Sequence, residues 1–233
     1  MCSTSRFISL RSGPRLATVA ILLAGASIGL ACSALTPQES TLKQGAAQFR
    51  ALARSQAEAL LPVLEETVKR EGDSQAGKPQ FALTGGGAVE VRTGNALHVV
   101  APVMIRYTAI PTVNCRLAVY TTDRKEANFV PLPLNADYDS CRGMDQLGIA
   151  DVNHDGVPDF IYKVNIPSNK TDEIVWEGAV YLSKPDPKAP YCFAPDISRT
   201  VTLYKPPTAI DAFIAAEVNR RGTRVLNCYG ASQ

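Results

Sequence analysis

The chain has 233 residues, 45% of them hydrophobic and 20% charged, which fits one or two globular domains able to bury a core. Its formal net charge is +2, and setting aside Arg6, Arg11 and Arg15 from its 24 basic residues leaves 21 against 22 acidic ones in the rest of the chain. No basic block interleaved with aromatics occurs, so nucleic acid is excluded as the expected partner, because phosphate neutralisation needs clustered Lys and Arg.

Residues 1–32 read as an export signal: three arginines, then the uncharged apolar run 16–31, then Cys32. Gly29-Leu30-Ala31-Cys32 resembles the lipobox of bacterial lipoproteins, in which a small residue precedes a cysteine that is lipidated and becomes the new N-terminus. The resemblance implies lipidation at Cys32 and a lipid anchor in the membrane. Plain cleavage near Ser33 or Ala34 is one alternative; an uncleaved anchor is the other, though the run is shorter than the ~20 residues of a membrane span. Each of these places the remaining chain outside the cytoplasm, so a periplasmic, membrane-anchored or secreted location is expected.

From Gln38 to about residue 71 the chain is expected to be helical. Phe49, Leu52, Ala53, Ala57, Leu60, Leu61, Leu64 and Val68 recur at three- and four-residue steps, and Pro62 divides the segment into pieces at 42–60 and 62–70. The apolar stripe is expected to pack on the domain core, docking on a partner or membrane being the alternative. A loop follows over 72–79.

Beyond Pro79 the character changes to short β-prone runs at 81–83, 88–92, 97–107, 116–120, 159–166, 174–182 and 200–204, punctuated by Gly, Pro, Asn and Asp. Gly85-Gly86-Gly87 is expected to be a tight turn, since no Gly-Lys-Ser/Thr follows and the next residues look like a strand. A C-terminal helix is expected from Thr208 as N-cap, through Ile210, Phe213, Ile214 and Val218, to Gly222. The expected fold class is α+β: a mainly antiparallel β domain over 79–233, with helices at both ends.

Four cysteines lie beyond the signal: Cys115, Cys141, Cys192 and Cys228. An even number in an oxidising compartment reads as disulfides, and four allow three connectivities. Pairing Cys115 with Cys141 and Cys192 with Cys228 is the expectation, because nearest neighbours need the least chain ordering. No C-x-x-C pair or Cys/His cluster has zinc-finger spacing.

The segment 151–159, Asp-Val-Asn-His-Asp-Gly-Val-Pro-Asp, carries the clearest chemistry. Asp151, Asn153, Asp155 and Asp159 fall at positions 1, 3, 5 and 9, with Gly156 at position 6 for a sharp turn and the carbonyl of Val157 at position 7. Calcium is a hard cation taking about six to eight oxygen ligands, and alternate short oxygen side chains in a tight loop can supply them. Val152 and His154 are expected to point outward. An EF-hand needs a bidentate Glu at position 12, where this chain has Tyr162. Phe160, Tyr162, Val164 and Ile166 alternate as on a strand, and 147–150 also look like a strand, so the loop is expected to join two strands.

In this, residues 146–162 resemble the FG-GAP or VCBS repeat, the calcium-loop hairpin of integrin-type β-propeller blades, whose Asp-x-Asp/Asn-x-Asp-Gly-x-x-Asp pattern is matched at each position. The resemblance implies bound calcium and a degenerate propeller-like arrangement, with a single copy of the motif in this chain.

His98 and His154 are the only histidines, and no nucleophile elbow, zincin helix or nucleotide fingerprint is present. A binding protein is therefore expected before an enzyme. In layout the chain resembles small immunity lipoproteins with one FG-GAP-like site that protect their producer from lysozyme-like toxins, which implies a protein partner such as a secreted hydrolase. An adhesive or scaffold module of the envelope is the alternative, and an enzyme whose site is not legible is a third.

Overall fold

The computed structural model describes residues 47–70, 77–93, 96–111, 113–133, 140–167 and 173–230. Residues 1–32, where an export signal is expected, lie outside the described residues, and among the described residues no helix is long and apolar enough to cross a membrane.

Two antiparallel sheets carry the chain. The first holds β1 (Ala47–Ala51), β2 (Pro79–Leu83), β3 (Val89–Thr93), β4 (Ala96–Tyr107), β5 (Val113–Tyr120) and β6 (Ala127–Phe129), in the order β1-β3-β4-β5-β6, with β2 also on β4. The length of β4 permits this: its first half pairs β3, with Val89 opposite Val100, and its second half pairs β2, with Leu83 opposite Val103. The second sheet is a meander of β7 (Gly143–Ala150), β8 (Asp159–Pro167), β9 (Ile174–Ser183) and β10 (Tyr191–Phe193), ordered β10-β9-β8-β7.

Strand alternation decides the layers. Val89, Val91, Leu117 and Val119 of the first sheet meet Phe160, Tyr162, Val164, Tyr181 and Phe193 of the second in one buried core. The opposite faces are also apolar, and each is covered by helices. Val99, Val103, Ile105 and Tyr120 lie under α1 (Arg54–Glu58) and α2 (Val63–Arg70), which contribute Ala57, Leu64 and Val68. Ile161, Val180 and Leu182 lie under α3 (Pro195–Val201) and α4 (Ile210–Arg221), through Ile197, Val201 and Ile214. The result is four layers, α/β/β/α. It is an α+β fold, 22% helical and 41% strand, with no closed barrel among the described residues. Burial on both faces explains why β8 runs apolar at Phe160, Ile161 and Tyr162 in succession, all 0% exposed.

Covalent links tie the layers. Cys115 of β5 is bonded to Cys141, just before β7, so one disulfide joins the two sheets; Cys192 of β10 is bonded to Cys228, holding the C-terminal stretch on the second sheet. Both pairs are the expected ones. The turn at Gly85-Gly86-Gly87 lies against β7, where the Thr84 hydroxyl donates to the Met144 carbonyl (3.0 Å) and accepts from the Met144 amide (2.8 Å).

α3 closes part of an open strand edge. β10 pairs only with 181–183 of β9, and beyond it the Val180 amide donates to Ser198 Oγ (2.8 Å) and the Gly178 amide to Thr202 Oγ1 (2.9 Å). The approach is so close that a Cβ on Gly178 would sit 2.5 Å from the Ser198 carbonyl oxygen.

The structure corrects the reading of several segments. Residues 47–51 are the strand β1, not the start of a helix: pairing with β3 from Ala47–Thr93 to Ala51–Val89 outweighs their helical spacing. Within the described residues 47–70 helix is confined to α1 and α2, on either side of Pro62, and their apolar residues do pack on the core; residues 38–46 of the expected helix lie outside the described residues. Residues 200–204 are the end of α3 and a turn, the β-prone run being overridden by helical packing on β9. The N-cap of α4 is Ala209 rather than Thr208, while Gly222 ends the helix with φ +81° as expected. The short strands β6 and β10 were not anticipated.

Candidate metal centre

The loop lies between paired residues, Ala150 closing β7 opposite Asp159 opening β8, so it is the connection of a hairpin as expected. Its polar side chains turn inward onto its own backbone. Asp151 accepts from the amides of Asp155 and Gly156, both at 3.0 Å. Asn153 Oδ1 accepts from the Asp155 amide (3.2 Å), and its Nδ2 donates to Asp155 Oδ2 (3.0 Å). Asp155 Oδ1 accepts from the Val157 amide (2.8 Å). Gly156 has φ +82°, the left-handed turn that position requires. His154 also has positive φ and is exposed, whereas Val152 turns away from the loop centre into the core beneath α3 and α4.

Asp159 is the innermost member, 0% exposed. Its Oδ2 accepts from the amides of Val152 (2.7 Å) and Asn153 (3.3 Å), and its Oδ1 from the amide of Ser183 (2.7 Å). Burial pushes its carboxyl up to about 7, although these three donors pull in the opposite direction.

Ser183 is the residue that sequence reasoning missed. The last residue of β9, it meets the loop three ways: amide to Asp159, hydroxyl to Asp155 Oδ2 (2.6 Å), and carbonyl accepting from Asn153 Nδ2 (3.2 Å). Nothing local in the sequence marks it. Only the β8–β9 register, with Phe160 opposite Tyr181, brings it beside the loop.

The donor set expected from the sequence is all oxygen, three carboxylates with an amide and the Val157 carbonyl, a chemistry that would suit a hard cation and not a thiolate- or imidazole-seeking one. Among the described residues no Lys, Arg or His is ion-paired with Asp151, Asp155 or Asp159. Their charge is met only by hydrogen-bond donors. The carboxylates are spread along the loop by those bonds, and among the described residues no three acidic, His or Cys side chains are gathered as a cation cage.

His98 lies on β4, half-buried, with burial holding its ionisation below the ordinary value and a bond to the Tyr120 backbone acting the other way. No known protein family, characterised protein or solved structure matches this chain.

Proposed function

We infer that this chain is an exported, calcium-clasped binding protein of the bacterial envelope, held to a membrane by lipid at Cys32, whose partner is a secreted cell-wall hydrolase that it inhibits. One observation supports the calcium part: three carboxylates lie on one nine-residue loop with no cationic partner among the described residues, the innermost of them fully buried, although they are not gathered into a cage. A divalent cation bound by Asp151, Asn153, Asp155, Asp159 and the Val157 carbonyl supplies the missing positive charge. Because β7–β10 form a four-stranded antiparallel meander, the hairpin sits in a sheet of the size of one propeller blade, in keeping with the FG-GAP likeness.

Calcium bound only by the folded chain stabilises it by mass action, about 2.7 kcal/mol at a hundredfold excess over Kd. For a domain of this size that raises Tm by about 5–10 °C. Asp155→Ala should abolish the calcium-dependent rise; equal melting with calcium and with chelator refutes the metal site.

The inhibitor reading rests on the signal and lipobox, on a body stiffened by two disulfides, and on the layout shared with immunity lipoproteins. Rigid surfaces lose less entropy on binding. The test is to mix the mature protein with the secreted hydrolase or toxin encoded next to it and follow cell-wall hydrolysis. Undiminished hydrolysis with no complex formed overturns the reading and leaves the adhesive or scaffold module.

A further inference from the structure

Among the described residues, the hydroxyls of Tyr120, Tyr162 and Tyr181 are buried without a hydrogen-bond partner. The other buried hydroxyls, those of Thr67, Ser183, Ser198 and Thr200, are all engaged. A buried polar group that no protein atom serves is costly, and ordered water is its usual partner.

Tyr120 lies on the α1 and α2 side of the first sheet, whereas Tyr162 and Tyr181 share the core between the sheets. Register brings these two together. Tyr162 is opposite Ala179 and Tyr181 is opposite Phe160, so the tyrosines are diagonal neighbours on one face of β8 and β9. Their rings meet edge to face with centroids 6.1 Å apart. The strands across the core present Val89, Val91, Leu117 and Val119, side chains with nothing to donate or accept. Bulk alone does not account for tyrosine here, because Phe160 and Phe193 fill the same core with rings that carry no hydroxyl.

Burial, and after it the neighbouring Tyr181 and Tyr191, push the Tyr162 ionisation up, and burial does the same for Tyr181 against the pull of Arg116. Both phenols stay neutral, each able to donate and to accept. An ion would find no counter-charge among these apolar side chains. A water molecule has two donors and two lone pairs, which match a pair of phenols.

We propose that the core between the two sheets is a binding site for one structural water, bonded at once to the hydroxyls of Tyr162 and Tyr181. The site rests neither on the calcium loop nor on the inhibitor reading.

The test joins two measurements on the mature protein, Tyr162→Phe, Tyr181→Phe and the double variant, each of which loses only oxygen and keeps the rings. Oxygen-17 relaxation dispersion of the solvent counts waters held longer than the molecule tumbles, and urea titration gives the midpoint of unfolding. The native chain should hold one more long-lived water than the double variant. Each single change should lower the urea midpoint by about 0.5 M. The double change should lower it by less than the sum of the two, since both hydroxyls serve one molecule. Equal numbers of trapped waters, a midpoint that either single change raises or leaves unmoved, or strictly additive shifts overturns the proposal.

Discussion

A carboxylate without exposed surface must either stay protonated or be matched by charge, and among the described residues Asp159 has neutral donors around it, three amides and the Ser183 side chain, and no cation. In the unfolded chain it ionises near the ordinary 3.8, in the fold near 7, so between those values the folded state holds a proton that the unfolded state has released. Its contribution therefore favours the fold at the acid end and declines as pH rises from about 4 through about 7, by on the order of 4 kcal/mol without metal. Denaturant titrations at pH 4.5 and 7.5 in chelator, compared between the native chain and Asp159→Asn, should show that decline in the native chain only. The variant should be less stable throughout, since its carboxamide keeps one acceptor oxygen but turns an N–H toward the amide of Ser183 or those of Val152 and Asn153, and excess calcium should flatten the native profile. The spacing of Asp151, Asn153, Asp155, Gly156 and Asp159 was legible because it is local. Ser183 was not, because it reaches the loop through strand pairing across 24 residues of chain.

Elements showed the same division. β8 was legible from the alternation of Phe160, Tyr162, Val164 and Ile166, a face that does enter the core between the sheets. β1 was not: Ala47–Ala51 carries residues that suit a helix, and only the edge of β3 makes it a strand. α3 was hidden by Val201 and Thr200, β-branched residues that read as strand, yet its hydroxyls have a specific use on β9. Ser198→Ala leaves the buried Val180 amide unpaired, which costs about 1–3 kcal/mol. In urea this should appear as a lower midpoint with an unchanged slope. An unaltered midpoint would mean that the helix does not cap the strand.

For the whole molecule, the class was legible and the layering was not. Strand and helix runs announce α+β, but a four-layer stack depends on which face of each strand meets which neighbour. The sequence shows those faces only as long apolar runs such as Val99 to Val103. The cysteines sit at the seams of that stack. Cys115–Cys141 closes 26 residues and joins the sheets inside their shared core, so the double change to Ser should cost about 2–5 kcal/mol. Thermal melts of the double variant beside the native chain, both without reductant so that Cys192–Cys228 stays closed, would measure it; equal Tm values would show that packing alone holds the sheets together. The helix laid along β9 has a further consequence, for behaviour at high protein concentration. Its cover reaches Gly178, while Ile174 and Val175 at the start of the same strand are exposed at 55% and 42%. An uncovered strand flank is a template for another chain. Gly178→Ala, which forces α3 outward, should therefore declare itself first as concentration-dependent self-association, visible by light scattering below the temperature at which the fold melts.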